Sequence, residues 1–90
     1  MDKAIVIKKL LLTLLRNHYP GIVDIVVNVR KDPMLEYHTD YYIYIGIVYK
    51  DLLNINASKM MNYAREIVYD IVGGRNGFNS VSIQTYDPNN

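Results

Sequence analysis

The chain is expected to be a small α+β domain, a three-stranded mixed sheet with both helices on one face. Three observations carry that expectation. The stretch Tyr41-Tyr42-Ile43-Tyr44-Ile45-Gly46-Ile47-Val48-Tyr49-Lys50 is almost wholly β-branched or aromatic, the residue types that fit a pleated, largely buried strand. Two segments with apolar residues at three- and four-residue spacing, one near each end of the chain, have the pattern of amphipathic helices. Two further runs alternate apolar and polar residues with period two, as half-buried strands do. The order is helix, strand, strand, helix, strand.

In the first helix, Ala4, Ile7, Leu11, Leu14 and His18 recur as an inward stripe, while Lys9, Thr13 and Arg16 mark the wet side. Asp2 is placed to cap it, and Ile5, Leu12 and Leu15 widen its apolar arc. His18-Tyr19-Pro20-Gly21 ends it, because proline cannot continue a helix and glycine turns the chain. The first strand runs from Ile22 to Arg30. Val23, Ile25, Val27 and Val29 are expected to face the core, with Ile22, Asp24, Val26, Asn28 and Arg30 opposite. Lys31-Asp32-Pro33 breaks it, and the polar residues through Asp40 form a hairpin loop.

Tyr41 to Lys50 is the central strand. Tyr41, Ile43, Ile45, Ile47 and Tyr49 share the core side, and Tyr42, Tyr44, Gly46, Val48 and Lys50 the other. Asp51 to Ile55 leads away, and Asn56 suits the N-cap of the second helix. Met60, Ala64, Ile67 and Ile71 form that helix's inward stripe, with Met61, Val68 and Val72 beside them. Gly73-Gly74 stops it. Val81, Ile83 and Thr85 then alternate with Ser82, Gln84 and Tyr86 in the last strand, which a right-handed crossover makes parallel to the central one.

Ninety residues with a formal net charge of +1 form one domain, 1–90, with no field to attract nucleic acid or an acidic membrane. Cysteine is absent, which excludes disulfides and thiolate chemistry. The apolar run from Ala4 to Leu15 carries Lys8-Lys9 in its middle and is followed by no small-residue cleavage site. It is also far short of the roughly 20 residues of a membrane span. A cytoplasmic protein without membrane contact is the expectation.

No catalytic constellation is found. His18 and His38 belong to no spaced ligand set, and His38-x-Asp40 alone does not make one. Ser58, Ser80 and Ser82 lack a nucleophile-elbow context, and no carboxylate pair is placed for acid–base work. A non-enzymatic protein with no cofactor and no metal is expected. Gly74-Arg75-Asn76-Gly77 matches the Gly-x-x-Gly loop of KH domains, but a strand follows it where those domains have a helix, so a helix stop and tight turn is the preferred reading.

The uncovered face of the sheet is the functional lead. With both helices on one side, Arg30, Tyr42, Tyr44, Val48, Gln84 and Tyr86 share an open surface, together with Asp24, Val26, Asn28, Lys50 and Ser82. Exposed aromatic and apolar patches of this kind mark interaction surfaces, and tyrosine combines a large ring with a hydroxyl that tolerates water. The first reading is self-association into a homodimer by sheet-to-sheet packing, or capture of another protein. The alternative is a stacking platform for single-stranded nucleic acid, with Arg30 and Lys50 at the phosphates. The near-neutral charge weighs against it.

From Leu14 onward the chain resembles the cytoplasmic C-terminal domain of cation diffusion facilitator transporters. The resemblance lies in Pro20-Gly21-Ile22-Val23 after a helix, in Asp51-Leu52-Leu53-Asn54-Ile55 leading into another, and in Val81-Ser82-Ile83 with Asp87-Pro88 at the end. It implies a ferredoxin-like fold and dimerisation. That family places a histidine in its last strand shortly before Asp-Pro, where this chain has Gln84 and one extra residue before Asp87. Lys59 stands where the family often has another histidine. Metal binding is therefore not implied, and the family's membrane portion has no counterpart in these residues.

Overall fold

The computed structural model describes residues 3–31, 41–72 and 80–88. Helix α1 spans Lys3–His18, strand β1 Ile22–Lys31, strand β2 Tyr41–Tyr49, helix α2 Ala57–Val72 and strand β3 Ser80–Tyr86, with a short 3-10 turn at Leu52–Asn54 before α2. The sheet order is β1-β2-β3. β1 pairs antiparallel with β2, and β3 lies parallel to β2. The central position of Tyr41–Tyr49 and the mixed sheet are as the residue pattern predicts. The expected Asp2 cap, the loop from Asp32 to Asp40 and the Gly73-Gly74 stop lie outside the described residues.

A single core joins the two helices to one side of the sheet. Ile7, Leu11 and Leu15 of α1 and Met60, Ala64, Ile67 and Val68 of α2 bury themselves with Ile22, Ile25, Ile43, Ile45, Ile47 and Tyr49. Both helices therefore cover the side of β2 that carries its odd-numbered residues. Asn56 caps α2 through its Oδ1, which accepts the Lys59 N–H at 3.1 Å, an arrangement worth about 1 kcal/mol.

Three expectations are corrected. The inward row of α1 is Ile7, Leu11 and Leu15; Leu14 is 39% exposed and His18 lies at the surface. On one flank α1 leans on β1, where Lys8 pairs with Asp24 at 3.5 Å and Arg16 donates to the Val23 carbonyl at 3.3 Å. On the other it meets α2, where the His18 and Tyr63 rings stand edge to face, 5.1 Å apart. The buried arc is centred between those flanks, which selects Leu15 over Leu14. Ile5 stays exposed, and Leu12 packs partly on the core.

The second correction is in β1. A register shift between Ile22 and Asp24 sets Ile22 opposite Tyr49 and Asp24 opposite Val48. The extra residue breaks the period of two, as a bulge does, so Ile22 is buried and Val23 is half-exposed. From Ile25 onward the alternation holds. The third follows from the second: Asp24, expected on the open face, turns at the bulge to meet Lys8, and its Oδ1 accepts the Ile25 N–H at 2.8 Å.

Gly21 has a specific task beside this bulge. A Cβ there would stand 2.7 Å from Cζ of the buried Tyr49 ring. Only a residue without a side chain lets that ring close the end of the core, while the Gly21 carbonyl accepts the Lys50 N–H at 3.0 Å.

Candidate functional site: the open face of the sheet

Register places the open face in rows across the strands. Arg30 is level with Tyr42; Asn28 with Tyr44 and Ser82; Val26 with Gly46 and Gln84; Val48 with Tyr86. Tyr42, Val26 and Tyr86 are 48%, 45% and 43% exposed, and Tyr44 and Val48 are half-buried. The six residues singled out in the sequence thus stand on one surface, with Arg30 and Tyr42 at one end and Val48 and Tyr86 at the other.

Two tyrosines lean together across that surface. Tyr86 lies back over Gly46, where an added Cβ would come within 2.9 Å of its Cε2 and 3.8 Å of Val26 Cβ. Glycine inside a strand commonly marks such a close approach, and Gly46 among β-branched and aromatic neighbours is its signal in the sequence. The Tyr86 hydroxyl then reaches Gln84 Oε1 at 2.8 Å and closely meets the Tyr44 hydroxyl, which itself lies 3.2 Å from Gln84 Oε1. With Tyr86 donating to Gln84, Tyr44 donates to Tyr86, and three polar groups satisfy one another. The hydrogen bond with Tyr86, followed by desolvation and repulsion from an ionised Tyr86, holds the Tyr44 phenol above its ordinary value of 10.0. Tyr44 is therefore a neutral donor throughout the physiological range.

The other end is built differently. Between Tyr42 and Tyr44 lies a depression of about 260 Å³, with Asn28, Arg30 and Ser82 around it. The sequence reading set Asn28 and Ser82 on this face without choosing them. Nothing in a period-two pattern says that Tyr44 tilts toward Tyr86, away from Tyr42.

Among the described residues, no group of three or more His, Cys, Asp or Glu is placed to hold a metal ion, and no helix is long and apolar enough to cross a membrane. His38, Asp40 and the Gly74–Gly77 stretch lie outside the described residues. No protein-family model matches the chain, and no curated protein or solved structure is significantly similar to it.

Proposed function

We propose that the protein works by self-association, as a homodimer formed when two copies pack their open sheet faces together. The arrangement is taken to be ferredoxin-like, as the resemblance to the transporter domain implies. The carrying observation is that Val26, Tyr42, Tyr44, Val48 and Tyr86 form a continuous amphipathic surface on one side of a sheet whose other side is core. Such a surface is complementary to itself under a two-fold axis. Arg30 and Tyr42 occupy its rim, where polar groups stay wet.

The mutual bonding of Tyr44, Tyr86 and Gln84 favours this reading over simple exposure. A hydroxyl stripped of water without a partner costs about 1–3 kcal/mol, and here the two phenols already have partners before any second copy arrives. Each ~600 Å² of apolar area removed from water is worth on the order of 15 kcal/mol gross. Association costs roughly 4–15 kcal/mol, so a micromolar dimer is within reach. A platform for single strands would need several cations at phosphates; among the described residues this face carries Arg30, with Lys50 beyond its end in a turn.

Isotope-filtered NMR on a mixture of labelled and unlabelled chains tests where the copies meet. Contacts between subunits should appear at the Val26 and Val48 methyls and at the Tyr42 and Tyr86 rings. Contacts confined to the exposed Leu10 and Leu14 of α1 would move the interface to the helices and overturn the proposal.

A further inference from the structure

We infer that the depression between Tyr42 and Tyr44 is a binding site for a small aromatic carboxylate, its ring held against the tyrosines and its acid group on Arg30. The inference goes beyond self-association and does not require it. The two ends of the open face differ in one physical respect. At the Tyr86 end the polar groups bond to one another. At the Arg30 end the side chains of Asn28, Arg30, Ser82 and Tyr42 line one hollow, and none of these side chains has a hydrogen bond or ion pair with another described residue. An amide, a hydroxyl, a phenol and a guanidinium that converge without bonding one another are each able to bond a ligand.

Size and charge narrow the ligand. A cavity of about 150 Å³ takes one benzene, so about 260 Å³ holds one six-membered ring and a short polar substituent. Two phenol walls favour a planar ring, through offset or edge-to-face contact. Arg30 presents a planar fork that matches a carboxylate with two parallel hydrogen bonds. Among the described residues it is the only cation lining the hollow, and one guanidinium balances one negative charge, which fits a carboxylate better than a phosphate dianion. Asn28 and Ser82, level with Tyr44 on the flanking strands, can bond a ring hydroxyl or the second carboxylate oxygen. Because Tyr42 and Tyr44 also belong to the proposed dimer contact, the site is tested on samples dilute enough for the chain to be monomeric.

The test is NMR titration of the full chain with four probes: benzoate, cyclohexanecarboxylate, benzyl alcohol and inorganic phosphate. Benzoate should shift the Asn28 and Ser82 amides and the Arg30 side-chain N–H saturably, with a dissociation constant on the order of 1 mM for so small a ligand. Cyclohexanecarboxylate should bind at least threefold more weakly and benzyl alcohol at least tenfold. Arg30→Gln should weaken benzoate at least tenfold, and Arg30→Lys, which keeps the charge but not the fork, by an intermediate factor. Arg30 is exposed, so both variants should keep the melting curve of the unsubstituted chain. The site is overturned if benzoate gives no saturable shift, if Arg30→Gln binds it equally well, or if phosphate binds more tightly than benzoate. Oligomeric mass is read separately from diffusion rates in the same samples, so failure of the site is distinguishable from failure of the dimer.

Discussion

A chain carrying Tyr44→Asp should run as a monomer at concentrations where the unsubstituted chain runs as a dimer. Tyr44 stands mid-face, between Asn28 on one neighbouring strand and Ser82 on the other. The substitution puts a carboxylate where two copies would exclude water, and the two-fold axis brings a second carboxylate close to the first. It also removes the donor to Tyr86 and leaves that hydroxyl one partner fewer inside the contact. Truncating one member of a buried polar or charged set costs 2–5 kcal/mol at an interface. The dimer dissociation constant should therefore rise by about 30-fold or more. The monomer fold should survive, because Tyr44 makes no part of the core and an aspartate on an open sheet face is solvated. Leu53→Asp provides the control: this leucine is 97% exposed in the turn before α2, away from the sheet face, and its replacement should leave the mass unchanged. Sedimentation or light scattering of the three proteins decides the point.

The largest effect on stability is expected from Ile45→Ala. Ile45 is fully buried at the centre of the central strand, with Val27 opposite on β1 and Ile83 on β3, and it lies among residues of both helices in the core. Its loss leaves a cavity that no neighbouring element can collapse into without breaking a strand pair. Isoleucine-to-alanine changes in such places cost about 2–5 kcal/mol, out of roughly 5–14 kcal/mol for a chain of this size. The melting temperature should fall by about 10–30 °C, measured at one fixed protein concentration because dimerisation shifts it. Val26→Ala, on the open side of the neighbouring strand, should move the melting point of the monomer by only a few degrees. Equal effects at the two positions would mean that the sides of the sheet are not divided as described.

Much of this division is legible in the residues because the sheet has strong periodicity. Ile43, Ile45 and Ile47 alternate with Tyr42, Tyr44 and Val48, and a shift of one residue would turn the whole isoleucine row to water. The same logic serves α2, where a glycine-free amphipathic stripe runs from Met60 to Ile67 between charged residues. It fails for α1. Ile5, Val6, Ile7, Leu10, Leu11, Leu12, Leu14 and Leu15 are apolar nearly all the way round, so periodicity alone does not separate Leu14 from Leu15. Packing against β1 and α2 makes that choice, and it is a tertiary fact.

The bulge at Ile22–Asp24 was illegible for another reason. Ile22 and Val23 are equally apolar, so either can take the core side, and only pairing with Tyr49 and Val48 shows which does. At the candidate site the sequence located Tyr42, Tyr44, Gln84 and Tyr86 on one face from alternation alone. What it could not supply is the diagonal: Tyr86 reaches past its own row over Gly46 to Tyr44, which closes one end of the face and opens the hollow beside Arg30. Gly46, set among β-branched and aromatic neighbours, was the visible trace of that crossing.

All of these expectations turn on the helix-free side of the sheet being a meeting surface. The mass of the unsubstituted chain in solution, followed by light scattering through the micromolar range, tests it most directly. Two copies per particle, separating on dilution, is the predicted result. A mass of one chain, constant across that range, would contradict it.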